Sequence, residues 1–493
     1  MSVRSLDRVH ALSSNAGLIA AFNLALAAVT GWLLWRSRAW PLIGDATILH
    51  FIAGQMQMGA VPYRDIVDIN MPLTYGIHAA VVAIGGMSDT AWRAFDLTAA
   101  ALICAFILLL VAPTGRAAAI LAMLAVLVMH LLLGPYAAGQ RDFLMSIPAV
   151  AAAWASARAA EDHQRRSLWL LLVGALGMTA AFIKPTGVLL LLLPALAMKL
   201  SPREIRWILA GATGVAIAVL AALAASGALG AFITIMKELL PAYSAMGARP
   251  LPEVLAALQW IVPIAGLALA AALSLTAPRA LSRTCGKCPQ PPRLRVMIGL
   301  AAFGLIHLLV QRKGWSYHVY PLGIGLSCWG AWALAALPMS RVLVCIAVTA
   351  AVLAWAVVRS MHRVEDYAPL RAAAAMQSAL ENHLPRGERV QMLDADNGAF
   401  LAMARAGMRQ ATPHIQWYSL LLAKAAVRQD FLAALEANPP AGMLLTNAQW
   451  PRWPGFEAAD AWPQFQAFLT SHYDLLLTGQ EDYIAWRFYL RTR

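Results

Sequence analysis

The chain has 493 residues, of which 60% are hydrophobic and only 13% charged, more apolar surface than one water-soluble core could use. Its formal net charge is +13, but Arg and Lys gather in short loops between apolar runs, as the positive-inside rule requires; this favours anionic headgroups and phosphates as partners and argues against nucleic acid. Of five cysteines, Cys285 and Cys288 form one CGKC pair in a basic loop, which supplies half the ligands of a structural zinc site and implies no disulfide framework.

The first apolar run, 17–35, ends in Trp-Leu-Leu-Trp before Arg36 and Arg38 and reads as a retained anchor rather than a cleaved signal. In the loop that follows, 36–71, the spacing of Ile48, Ile52 and Met56, with His50 and Gln57 off that stripe, predicts a short helix over 46–58 lying in the membrane interface. Further apolar runs fall at 72–87, 94–113, 116–133, 143–158, 167–182, 185–199, 206–226, 253–275, 294–310, 317–337 and 341–358. Together they predict an α-helical polytopic membrane protein with about 11–13 membrane helices. Run 72–87 would reach only about 24 Å as a helix, against a hydrocarbon core of roughly 30 Å, and is expected not to span fully. Residues 228–244 read as a second interfacial helix, ended by Pro241, and Tyr63, Tyr75, Trp315 and Tyr317 sit where interfacial aromatics belong.

Composition switches at Arg359, which divides the chain into a membrane domain over 1–358 and a separate domain over 359–493. In the latter, helical patterns at 366–383 and 424–436 alternate with strand-like runs at 389–394, 441–446, 474–478 and 482–490, predicting a small α/β sandwich.

The most basic loop, with Arg279, Arg283, Lys287, Arg293 and Arg295, is assigned to the cytoplasm together with 158–166 and 199–206. Walking outward from these puts 134–142, the turn around Lys184, 311–318 and everything after 358 on the opposite face. The expected setting is a bacterial inner membrane, with the α/β domain extracytoplasmic.

This sidedness gathers the unusual polar residues on one face. They are Asp45 after the first span, the stretch with Tyr63, Arg64, Asp65, Asp68 and Asn70, the pair Arg141 and Asp142, and Gln311 to His318 with Lys313, Trp315 and Tyr317. Carboxylates beside apolar segments are costly unless they meet water, a cation or a metal. Sugar transfer gives a reason: an acceptor hydroxyl needs a base, and a departing phosphate needs cations or a metal. Asp45 or Asp142 suits the first role; Arg64, Arg141, Lys184, Lys313 and His318 suit the second. Local readings compete: Asp45 as a helix cap, Arg141 and Asp142 as a simple pair, Lys184 as a headgroup anchor in a tight turn.

Asp45, the Asn70-Met71-Pro72-Leu73 entry to the second apolar run, Asp142 about seventy residues later and the stretch GGMSDTAWRAFDL with Arg93 resemble the multi-pass glycosyltransferases of the C superfamily, which use polyprenyl-phosphate sugars and include protein mannosyltransferases and lipid A aminoarabinose transferases. Many of these carry a charged residue and Pro-Pro where this chain has Asn70-Met71-Pro72. The resemblance, over roughly the first 190 residues, implies a polyprenyl-phosphate-linked monosaccharide donor, a glycan, lipid or protein acceptor and inversion at the anomeric carbon. It makes Asp45 the leading base, with Asp142 supporting it. Magnesium or manganese stays open as a cofactor, with Asp45, Asp142 and His318 as candidate ligands. A secondary transporter, a lipid-linked glycan ligase or polymerase, and a non-catalytic assembly subunit are the alternatives.

Overall fold

A computed structural model describes residues 3–276, 291–361, 367–416, 424–448 and 454–492, with side chains described from Asn15. Cys285, Cys288, Arg279, Arg283 and Lys287 lie outside the described residues. Among the described residues, nine helices are long and apolar enough to cross a membrane, from Asn15–Ala39 to Met339–Met361. Three shorter apolar helices, Pro72–Gly85, Arg166–Ala181 and Pro185–Ala197, complete the set of apolar runs seen in the sequence. Pro72–Gly85 has 14 residues, about 21 Å of helix, short of the hydrocarbon thickness. The protein is therefore a polytopic helical membrane protein with a C-terminal sheet.

The chain divides into two compact units. One comprises 1–40, 93–218 and 249–363; the other comprises 41–92, 219–248 and 364–493. The first is helical and holds seven of the nine long apolar helices in full, together with Asp89–Thr114 from Arg93 onward and Pro202–Ala225 up to Ala218. Its helices approach closely where side chains are small, as expected when no hydrophobic force drives helices together in lipid. A Cβ on Gly304 would lie 2.1 Å from the backbone nitrogen of Leu322, so helix Pro291–Gln311 meets helix Tyr320–Ala336 backbone to backbone. That contact brings His307 and Gln311, one turn apart on the first helix, beside the segment that opens the second.

The second unit is built on a five-stranded sheet: β1 (Arg389–Leu393), β2 (Arg409–Gln410), β3 (Gly442–Thr446), β4 (Tyr473–Glu481) and β5 (Ile484–Arg491), in the order β2-β1-β3-β5-β4. β1 pairs in parallel with β2 and β3, whereas β5 runs antiparallel to β3 and β4. Period-2 alternation sorts the strand residues into two layers. Leu444 and Phe488 face the core that holds Met376 and Leu380, while Met443, Leu445 and Tyr489 face the one that holds Phe431, Phe465 and Phe468.

The first loop belongs to this unit. Helix Asp45–Gln57 packs on helix Ala399–Ala406, with Phe51 and Phe400 ring centroids 5.8 Å apart. Gln55 donates to the Met408 carbonyl at 2.9 Å and accepts from the Gln410 amide at 3.0 Å, and Val67 donates to the Pro413 carbonyl at 2.8 Å. The expected interfacial stripe is corrected by this packing: His50, Leu49, Phe51, Ile52, Ala53 and Gln55 are buried, and Ile48 and Met56 only half so, because the helix is covered by protein on several sides. Helix Leu229–Met246 runs through Pro241 rather than ending there. Tyr63 and Tyr75 are also core residues, each 2% exposed, rather than interfacial aromatics.

Candidate functional site

In the helical unit, polar chemistry centres on Asp142, the second residue of helix Arg141–Glu161, whose side chain is wholly buried. Lys184 reaches it from the turn before Pro185: the ammonium lies 2.7 Å from Oδ2 and 2.9 Å from Oδ1, and donates to Gln311 Oε1 at 2.7 Å. His307 Nε2 lies 2.6 Å from Oδ1, and Gln311 Nε2 donates to the same oxygen at 3.1 Å. Thr186 Oγ1 is 2.7 Å from His307 Nδ1. A neutral imidazole satisfies both contacts, with Nε2–H donating to the carboxylate and Nδ1 accepting from the threonine.

Lys184 is 8% exposed, which corrects the expectation of a headgroup anchor: with Asp142 beside it, the ammonium lies inside the protein rather than in the interface. Its charge also lies over the Tyr317 ring at 5.9 Å, and that ring stacks on Trp315 and meets His318 edge-on at 5.0 Å. Arg249 covers the Trp315 ring at 5.5 Å. Arg141, first residue of its helix, acts electrostatically on His318, as do Lys184, Asp142 and His307. Lys313 is buried within the same 311–318 segment. The structure thus gathers Asp142, Lys184, Tyr317 and His318 about one place, with Arg141 close enough to contribute its charge.

A second buried network braces the loop before Asp142. Asp96 pairs with Arg93, lies 3.1 Å from His130 Nε2 and accepts from the Gly139 amide at 2.8 Å. His130 Nδ1 is 2.7 Å from the Tyr320 hydroxyl, and Phe143 stacks on the His130 ring at 4.3 Å. Asp96 therefore holds both the loop at Gly139 and the first turn that carries Asp142.

In the sheet-bearing unit, the remaining candidates separate into two groups. Asp68 accepts from Tyr75 and Asn70 side chains at 2.5 Å each, and Tyr63 donates to the Asn70 carbonyl at 2.7 Å. Burial, then the Asp68 charge, push the Tyr63 hydroxyl far up. Arg64 and Asp65 are exposed and pair at 2.8 Å, while Asp65 also accepts from the Val61 amide at 2.8 Å. The 61–70 loop is thus a folded turn, tied also to Ser226 by a hydrogen bond of 3.2 Å from Arg64 to its carbonyl.

Asp45 stands apart from that turn. Gly44, at φ +66°, takes the N-cap position in the left-handed region that favours glycine, so Asp45 is the first helical residue and not the cap. Its charge reaches Asp396, a left-handed residue at φ +67° in the loop after β1. Burial first, then Asp45 and Asp394, hold the Asp396 carboxyl well above the usual carboxylate range. Asp394 itself caps the following helix, accepting from the Asn397 and Ala399 amides at 3.0 and 3.1 Å. Among the described residues, no three His, Cys, Asp or Glu side chains come together as a metal-binding group.

Sequence reasoning passed over His307 as a site residue, along with Asp96, His130 and Asp396. His307 and Gln311 carry a usable signal: four residues apart, they share one helix face at the end of an apolar run. Asp396 carries none, because its place depends on a loop conformation.

No family model matches the chain, nor does any curated protein. Among solved structures, the chain is similar to the archaeal oligosaccharyltransferase AglB from Archaeoglobus fulgidus in complex with an inhibitory peptide and a dolichol-phosphate, at 11% identity and TM-score 0.46, covering 88% of this chain and 69% of that one. It is also similar to ArnT from Cupriavidus metallidurans bound to undecaprenyl phosphate, at 13% identity and TM-score 0.45, covering 94% of this chain and 97% of that one.

Proposed function

We propose that this protein transfers a monosaccharide from a polyprenyl-phosphate-linked donor to a hydroxyl of a cell-envelope glycan, lipid or protein at the outer membrane face. The observation that carries this reading is the gathering of cations around Asp142. Lys184 offsets the buried carboxylate, and Arg141 and the buried Lys313 add positive charge in the same region. Cations gathered beside stacked aromatic rings suit an anionic ligand, and a lipid phosphate supplies one where a transporter would place its ionisable groups at mid-membrane depth.

In this reading the acceptor oxygen attacks the anomeric carbon as Asp45 takes its proton. The bond from that carbon to the phosphate oxygen breaks with inversion, and polyprenyl phosphate leaves with the electron pair. Asp142 positions Lys184 and His307 rather than taking a proton, since its oxygens are already engaged by them. Tyr317, Trp315 and His318 wall the phosphate region. The family resemblance assigns the base to Asp45, whose charge reaches Asp396 in the loop after β1.

The test is transfer of radiolabelled sugar from polyprenyl-phosphate donors in reconstituted membranes. Asp45→Asn, folded and at equal amount, is expected to lose about 10²–10⁴-fold in rate, the range of general base catalysis. Wild-type transfer by folded Asp45→Asn removes the base assignment.

A further inference from the structure

The resemblance leaves a divalent ion open, and the residues around Asp142 do not fit one. A magnesium or manganese ion takes near-octahedral oxygen ligation, usually from more than one carboxylate together with water. Here a single carboxylate is present, and an ammonium already lies against it. Lys184 Nζ has three oxygens around it, Asp142 Oδ2 at 2.7 Å, Asp142 Oδ1 at 2.9 Å and Gln311 Oε1 at 2.7 Å, which matches its three N–H donors. His307 Nε2 lies 2.6 Å from the same carboxylate. A metal bound there would have to displace Lys184 and leave its charge buried beside a dication.

We propose that Lys184 is the resident cation of this site, standing where a divalent ion would otherwise sit, so that the protein binds its anionic ligand without a metal. The proposal deepens the phosphate reading and rests on it only for the nature of the anion. Lys184 delivers one positive charge from the chain itself, fixed by a carboxylate and an amide oxygen. The same geometry implies a latent metal site: with Lys184 shortened, Asp142 and Gln311 would present three oxygens to an empty position.

The probe is Mn²⁺ itself, followed by electron paramagnetic resonance on the full-length protein in lipid nanodiscs. Wild type is expected to leave the signal of hydrated Mn²⁺ unchanged. Lys184→Ala is expected to take the ion up, and Lys184→Ala with Asp142→Asn to lose it again. Uptake by wild type that Asp142→Asn abolishes overturns the proposal, as does a folded Lys184→Ala that binds no Mn²⁺. Should Lys184→Ala fail to fold, wild-type sugar transfer in EDTA decides: an unchanged rate supports the proposal, and a loss restored by Mg²⁺ overturns it. The two readings fail separately, since a wild type that transfers no sugar under any condition removes the transferase reading and leaves the Mn²⁺ result standing.

Discussion

The first loop and the Asp142 cluster look alike in the sequence and differ in the fold. Both are short stretches of Asp, Arg, Lys, Tyr and His beside apolar runs. In the first loop the charges meet close neighbours in the sequence: Arg64 pairs with Asp65, and Asp68 accepts from Tyr75 and Asn70. Around Asp142, one buried carboxylate faces Lys184, with Arg141 and Lys313 nearby. A count of polar residues therefore does not mark a site. What marks it is charge brought together from distant parts of the chain, in a place where burying charge is costly.

The comparison is broken most severely at Asp142. Asp142→Ala leaves Lys184 buried without its carboxylate, and the expected loss is about 3–5 kcal/mol of stability, read as a large drop in the thermal midpoint of the detergent-solubilised protein. An unchanged midpoint would show that the pair is not held as described.

Acid strikes the other unit. His50 is buried against His78 and Trp92, and burial lowers its pKa to about 4. It is neutral in the fold but gains a proton below about 6.5 when unfolded, so its contribution is complete above pH 6.5 and is lost as pH falls toward 4. The loss amounts to about 3 kcal/mol. Hydrogen exchange over helix Asp45–Gln57 should accelerate across that window, and His50→Asn should flatten the dependence.

Within the closed turn, Tyr75→Phe removes one donor from the buried Asp68 and should cost about 1.5–3 kcal/mol with sugar transfer retained in the protein that remains folded. Loss of transfer without loss of stability would move this turn into the site. The smallest effect is expected for Arg64→Ala, which opens an exposed ion pair and should leave both midpoint and transfer at wild-type values.

These contrasts also show what the sequence makes legible. Every apolar run maps onto a helix, because burial in lipid or protein demands long apolar stretches whatever their neighbours. The strands at 389–394 and 441–446 are equally plain, since a sheet covered on both faces requires continuous apolar residues. Sidedness brings Asp142, Lys184 and His318 to one face before any contact is known. Pairing is harder to read: Lys184 lies 42 residues from Asp142 and Gln311 lies 169, and which charges neutralise one another is settled only by packing. The helix at Asp45–Gln57 reads as interfacial in the sequence because periodicity reports a helix's own faces and says nothing of the helix Ala399–Ala406 that covers it.

The central claim, that the cations gathered near Asp142 hold a lipid phosphate, is tested most directly by the affinity of polyprenyl phosphate for the protein in nanodiscs. Lys313→Met and Arg141→Met are expected to weaken binding by about tenfold or more each, in the range of a charge-assisted contact, while Arg64→Met leaves it unchanged. Equal affinity in all four proteins would contradict the account.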